Sequence, residues 1–291
     1  MTLPNFLIIG ANKAGTTSLY RYLAQHPDAY MSPMKEPSYF APVIRRHAPE
    51  SRRLPRTQEE YTALFDDAGH ARAVGEASTA YLPDNDAPAL AREAIPDARL
   101  VVILRNPLDR AFSDYSMHRG WGDEELSFAE AIESELDGSV PGLSWGRRYV
   151  EYGFYGRHLS RWLRLFERER FGIYLYDDLQ RDPQALMSTV AAFLDISTSF
   201  TPETAERHNV TRHPPRIKTV EQVAQWRPAK AVAKRVVPAR TLTRVKEFVR
   251  RKNSVPPTFP AGIRRRLIDV YRDDVAVVEQ LTGRDLSAWL A

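Results

Sequence analysis

The string Gly10-Ala-Asn-Lys13-Ala14-Gly15-Thr16-Thr17-Ser18 has the residue types of an anion cradle. Glycine and small side chains let backbone N–H groups converge on one point. A helix opening near Thr16 aims its positive end at the same point. Lys13 adds a full positive charge, and three successive hydroxyls add donors. The apolar run Phe6-Leu-Ile-Ile9 precedes the loop, so the string sits in the strand–loop–helix context that phosphate binding needs.

A second group starts where another strand stops. Arg105 ends the apolar run Leu100-Val-Val-Ile-Leu104, at the strand edge where α/β sheets place their ligands. Ser113 lies about two helical turns further on, within Asn106-Pro-Leu-Asp-Arg110-Ala-Phe-Ser113. If the loop folds back, a guanidinium and a hydroxyl can grip one phosphate. A third group is Met34-Lys35-Glu36-Pro37-Ser38-Tyr39-Phe40, which offers a carboxylate suited to proton transfer. His118 follows Ser113 on the same predicted helix and is a further proton-transfer candidate.

The first loop differs from two common nucleotide loops. In the G-x4-G-K-[ST] loop of ATPases a lysine follows the second glycine; here Thr16 stands there and the lysine has moved to position 13. The lysine–hydroxyl pair that serves γ-phosphate and magnesium is thereby broken. A dinucleotide fold would need glycine two residues after Gly10, and Asn12 is there instead.

Lys13-Ala-Gly-Thr-Thr-Ser-Leu19 resembles the 5′-phosphosulfate loop of sulfotransferases that use 3′-phosphoadenosine 5′-phosphosulfate, PAPS. The Arg105 to Tyr115 string resembles the same family's 3′-phosphate motif. Lys35-Glu36-Pro37-Ser38-Tyr39-Phe40 resembles the K-E-P-x-F-F string of its carbohydrate-type, heparan sulfate and bacterial members. The resemblance implies donor binding by Lys13, Ala14, Gly15, Thr16, Thr17, Ser18, Arg105 and Ser113. It implies Glu36 as general base, Lys13 as a catalytic cation, and His118 as an assisting group. Asn209-Val-Thr-Arg-His-Pro-Pro-Arg216 sits where relatives close a loop over the nucleotide, which makes Arg216 a further donor contact. The product would be adenosine 3′,5′-bisphosphate, and the arrangement demands no metal.

Glu76-Ala77-Ser78-Thr79-Ala80-Tyr81 resembles the family's E-K-[ST]-P-x-Y segment, which lines the acceptor cleft. The family lysine is Ala77 here, its proline is Thr79, and the residue after K-E-P, often His, is Ser38. These departures shorten polar reach toward an acceptor and count against heparan-like substrates. The acceptor class stays open among small-molecule, glycan and lipid hydroxyls, or an amine. Two other readings remain: a non-catalytic nucleotide-binding protein on the same fold, and a P-loop kinase.

The elements that must carry these groups alternate. Asn5–Ile9, Arg99–Arg105 and Phe171–Tyr176 read as strands; Thr16–Gln25, Leu108–His118 and Pro183–Leu194 read as helices. Leu159, Trp162, Leu163 and Phe166 mark an amphipathic helix, and so do Ile263 to Leu281, with Gly283 as its stop. Residues 28–60 read as loops with short helical pieces. Alternation predicts an α/β class: a P-loop-like three-layer fold with a central, mainly parallel sheet flanked by helices.

Composition sets the outer bounds. Hydrophobic residues are 43% and charged residues 27%, ordinary globular proportions. No cysteine is present, which excludes disulfides and thiolate chemistry and suits a reducing compartment. No signal-peptide pattern and no membrane-length apolar run appear, so the expectation is cytoplasmic. Residues 207–252 hold 14 Lys and Arg against Glu221 and Glu247. That stretch suits an anionic ligand, acceptor or peripheral membrane surface, with a solvated helical face as the equal alternative. No nucleic-acid motif accompanies the charge. The organisation expected is one domain over 1–291, with a basic helical insertion or lid at about 217–255.

Overall fold

A computed structural model describes residues 2–48, 52–139, 147–203 and 259–291. The basic stretch, the expected insertion at about 217–255 and Arg216 lie outside the described residues.

The sheet has five strands in the order β2-β3-β1-β4-β5, and every pairing is parallel. The strands are β1 (Phe6–Gly10), β2 (Ala29–Met31), β3 (Ala73–Ala77), β4 (Arg99–Leu104) and β5 (Phe171–Leu175). Central strands of a parallel sheet are covered on both faces, so their residues need not alternate. Phe6 to Ile9 and Leu100 to Leu104 are accordingly all buried at 0% exposure. Phe6 pairs with Gly75 on one side and Arg99 on the other, so β1 is the middle of the sheet.

Helices follow the strands: α1 (Thr16–Leu23), α2 (Pro42–His47), α3 (Gln58–Thr62), α4 (Ala87–Ala94) and α5 (Pro107–Trp121). Then come α6 (Phe128–Leu136), α7 (Tyr155–Leu163), α8 (Tyr176–Arg181), α9 (Pro183–Leu194) and α10 (Ala261–Thr282). Among the described residues, no helix is long and apolar enough to cross a membrane.

Several ends follow local chemistry. Asn106 caps α5 by accepting the Leu108 N–H at 2.9 Å, with Pro107 in the first turn. Gly283 ends α10 in the left-handed conformation at φ 64°, as its place in the sequence predicts. Helix α7 has no cap of its own. Asp274 on α10 supplies one across the fold, accepting the Gly156 and Arg157 N–H groups at 2.8 Å each.

Two strands, β2 and β3, escape the sequence reading. Within the region read as loops and short helices, Ala29–Met31 forms β2 beside the expected helical pieces α2 and α3. It is three residues long and half-buried, too short for a pattern. The amphipathic helix also lies earlier than its apolar spacing suggests: α7 runs Tyr155–Leu163, and Phe166 is buried beyond its end.

Because all strands run one way, their carboxyl ends share one edge of the sheet. The loops after β1, β2, β3 and β4 gather there, and they carry Lys13, Glu36, Thr79 and Arg105 respectively.

Candidate functional site

The loop after β1 turns back through two left-handed residues, Lys13 at φ 65° and Gly15 at φ 96°. Gly15 is obligatory for a second reason. A Cβ there would lie 2.7 Å from Leu179 Cδ2 and 3.0 Å from Tyr176 Cδ2, both on α8. The turn places Gly15 as N-cap of α1 without a side-chain cap. Among the described residues, no side chain takes up the Thr16 and Thr17 amides of its first turn, which can serve an incoming group; the Ser18 N–H already donates to the Gly15 carbonyl at 3.0 Å. Thr16 is buried, and Thr17 and Ser18 are half-buried beside it.

Arg105 reaches this loop from the end of β4. Its Nη1 donates to the Lys13 carbonyl oxygen at 3.3 Å, and its guanidinium lies 4.9 Å above the Tyr176 ring. Tyr176 thus touches both halves of the site, since the same ring crowds Gly15. Ser113 is 7% exposed on α5, the helix that Arg105 leads into. The sequence brings Lys13, Arg105 and the α1 amides together as expected.

The Lys13 ammonium donates to Met117 Sδ at 3.3 Å. Burial pushes its pKa below the usual lysine value, Asp114 opposes that shift, and Arg105, Arg110 and Lys35 add to it. Cations from separate elements converging on Lys13, with helix amides aimed at the same place, are an arrangement that an anionic phosphate would relieve. The residues present therefore fit a nucleotide carrying phosphate groups.

A buried chain of polar groups holds this half in place, and sequence reading missed it. Asn12 Nδ2 donates to Asp114 Oδ1 at 3.1 Å, tying the loop to α5. Asp114 Oδ2 accepts from Arg110 Nη1 at 3.1 Å, and both side chains are fully buried. Arg110 also donates to the Tyr149 carbonyl. The Arg110–Asp114 spacing of one helical turn was visible in the sequence. Its link to Asn12 was not, because that contact exists only in the fold.

Glu36 stands on the loop after β2 with a left-handed backbone, φ 63°. Its N–H donates to the Ala77 carbonyl at 2.9 Å. Its carboxylate pairs with Lys35 Nζ at 2.6 Å and accepts the Thr79 N–H at 2.8 Å. The Glu36 side chain remains 21% exposed. Lys35 is also among the charges acting on Lys13, which brings the Glu36 loop and the Lys13 loop into one field.

Beneath Glu36 lies a second carboxylate. Glu76 is fully buried and accepts from Tyr81 Oη at 2.6 Å, Ser78 Oγ at 2.8 Å and Tyr61 Oη at 3.4 Å. Burial pushes its pKa up to about 7, against the pull of those hydroxyls, and the Glu36 charge adds to the rise. Ser78 Oγ in turn accepts the Ser38 N–H at 2.9 Å, and Tyr81 Oη accepts the Phe40 N–H at 3.4 Å. The Glu36 loop is thus stapled to the exit of β3.

His118 sits in the last turn of α5, 12% exposed in its side chain. Its ring packs edge-on against Trp121 and Tyr149, and Nδ1 lies 3.8 Å from Asp123 Oδ2. It follows Met117, the residue that Lys13 touches, but it is not a partner of Glu36.

A cleft of about 430 Å³ opens beside the Glu36 loop, lined by Arg45, Arg52, Arg53, Arg56 and Glu60 together with Met34. Arg52 Nη2 donates to the Glu36 carbonyl at 3.3 Å. Among the described residues, none of these four guanidiniums is in an ion pair.

Comparison with known proteins points to one group. A family model described as a sulfotransferase domain matches residues 3–214. The human bifunctional heparan sulfate N-deacetylase/N-sulfotransferase 2 is 29% identical over 200 residues, covering 67% of this chain and 22% of its own length. The human heparan sulfate glucosamine 3-O-sulfotransferase 6 is 27% identical over 286 residues, covering 97% of this chain and 72% of its own. The chain thus spans less than a quarter of the first relative and most of the second. The crystal structure of a sulfotransferase from Alicyclobacillus acidocaldarius superposes with a TM-score of 0.74 at 31% identity, covering 100% of both chains.

Proposed function

This chain belongs to the sulfotransferase domain family, and from that premise we propose that it moves a sulfuryl group from PAPS to a hydroxyl or amine of an acceptor. The observation that carries the proposal is the junction of Arg105 with the Lys13 loop at the carboxyl edge of the sheet. Lys13, the α1 amides and the hydroxyls of Thr16, Thr17 and Ser18 would hold the 5′-phosphosulfate end. Arg105 and Ser113 would hold the 3′-phosphate.

The chemistry asks for three things. The acceptor atom must lose a proton as its bond to sulfur forms; Glu36, a half-buried carboxylate with part of its side chain exposed, would take it. The bond from sulfur to the donor's phosphate oxygen breaks, leaving negative charge on adenosine 3′,5′-bisphosphate. Lys13 and the positive end of α1 would stabilise that charge. Positioning and fixed electrostatics would supply most of the rate.

For the acceptor, two observations point the same way. The two relatives described above are named for heparan sulfate, a glycan. The arginine-lined cleft beside Glu36 suits an acceptor that carries negative charge. It supplies cationic reach that the losses at Ala77 and Ser38 removed. The lack of cysteine supports a reducing, cytoplasmic setting for this activity.

Calorimetry with adenosine 3′,5′-bisphosphate tests the donor site, with AMP and ATP–Mg²⁺ as controls. Tight binding of the bisphosphate alone is expected. Preference for ATP–Mg²⁺ would overturn the reading in favour of a kinase.

A further inference from the structure

Glu36 is held at both ends by the segment that leaves β3. Its own N–H donates to the Ala77 carbonyl at 2.9 Å. Its Oε2 accepts the Thr79 N–H at 2.8 Å, and Thr79 Oγ1 lies 3.2 Å from Oε2 and 3.3 Å from Oε1. Lys35 Nζ approaches Oε1 at 2.6 Å. A carboxylate offers about four acceptor directions. Lys35 and the two Thr79 donors engage most of them, which leaves a narrow choice for an incoming hydroxyl.

Thr79 is itself well anchored. The preceding Ser78 N–H donates to the Ile8 carbonyl at 3.0 Å, and Ser78 Oγ donates to buried Glu76 at 2.8 Å. Just after it, the Leu82 N–H donates to the Ile9 carbonyl at 2.9 Å. A backbone amide fixed in this way aims its donor without losing side-chain entropy. Its bond to a carboxylate is charge-assisted and correspondingly strong. The E-K-[ST]-P-x-Y segment has proline at this place, and proline carries neither an N–H nor a hydroxyl. The Thr79 bonds to Glu36 are therefore a property of this sequence.

Resting on the reading of Glu36 as the base, we propose that Thr79 is a positioning residue for sulfuryl transfer: its N–H and hydroxyl fix the rotation of the Glu36 carboxylate, and so the lone pair that takes the acceptor's proton. Lys35 holds one oxygen, Thr79 holds the other, and the plane between them is set before the acceptor arrives. The hydroxyl contact, shared between both oxygens and longer than the amide contact, is the weaker of the two.

The test compares Thr79→Pro, Thr79→Val and Thr79→Ser, alone and combined with Glu36→Gln. Turnover is read as bisphosphate release from PAPS with a desulfated heparan-type tetrasaccharide as the acceptor probe. Thr79→Pro should lower kcat about tenfold or more, a loss that misorientation of a reacting group readily produces. Thr79→Val should lose a few-fold and Thr79→Ser should keep the wild-type rate, all three with unchanged bisphosphate affinity. In the Glu36→Gln background none should have a further effect; a purely structural role would add to it. A reading independent of the acceptor comes from ¹H–¹⁵N NMR: the Thr79 amide proton should resonate downfield and move upfield in Glu36→Gln. Folded Thr79→Pro at wild-type kcat, or an amide unmoved by Glu36→Gln, overturns the proposal. Should Thr79→Pro fail to fold, Thr79→Val at wild-type kcat overturns it instead. If Glu36→Gln itself keeps full turnover, the base assignment is what fails.

Discussion

The carbonyl oxygen of Lys13 accepts a hydrogen bond from Arg105 Nη1 at 3.3 Å. Two motifs far apart in sequence are thereby one site in space. The contact uses a backbone oxygen, so it sets the path of the loop whatever the Lys13 side chain does. Four predictions follow from this site and its supports, beyond the Thr79 series.

Arg105→Ala should weaken adenosine 3′,5′-bisphosphate binding about tenfold or more, since a hydrogen bond to a charged group is worth roughly 1.5–3 kcal/mol. AMP, which lacks the 3′-phosphate, should lose less, only what the released Lys13 loop costs. Calorimetry on both ligands reads the difference, and equal losses for both would remove Arg105 from the 3′-phosphate.

Glu36→Gln keeps the size and most of the hydrogen-bonding shape of the side chain but cannot take a proton. Turnover should fall on the order of 10²–10⁴-fold, the usual worth of a general base. Bisphosphate affinity should stay within about twofold, because the loss acts on proton transfer and not on uniform binding.

Glu76 predicts a pH dependence of stability. Burial raises its folded pKa from 4.5 to about 7, so the folded state binds this proton more tightly than the unfolded one. That contribution is fully present below about pH 4.5 and is lost as pH rises through about 7. Its size is on the order of 3 kcal/mol. Urea unfolding across pH 4.5–8 should show a steeper decline in wild type than in Glu76→Gln. Parallel curves would mean that Glu76 stays charged in its tyrosine cage.

Gly15→Ala should destabilise the chain by about 1–3 kcal/mol, because the residue is left-handed and its new Cβ would press on Leu179 and Tyr176. It should also weaken bisphosphate binding, since relief of that clash moves the α1 N-terminus. Thermal melting and calorimetry on one preparation read both effects; a stable variant with native affinity would show that α8 yields freely.

The half of this site built on the Lys13 loop and β4 was legible in the sequence because its signals are local. Gly10 to Ser18 announce strand, turn and helix in consecutive residues, and the run from Leu100 to Leu104 announces a covered strand. The sheet's other side was harder to read. β3 is Ala-Val-Gly-Glu-Ala, fully buried yet hardly apolar: Gly75 makes room for the Phe6 ring, and Glu76 is satisfied by the hydroxyls of Ser78, Tyr81 and, from α3, Tyr61. Thr79 shows the same limit in reverse. In the sequence it is a missing proline; in the fold it is a gained donor, visible only once β2 and β3 lie side by side.

The placement of β1 at the centre of the sheet has a consequence for biosynthesis. Phe6 is translated well before Gly75 and Arg99, the residues it pairs with on either side. No two-sided sheet exists until β4 has cleared the ribosome. Until then the Phe6-Leu-Ile-Ile9 segment has at most β3 beside it, and its other edge is an open strand edge. The middle of the sheet is thus completed late and through contacts distant in sequence, a topology that folds slowly.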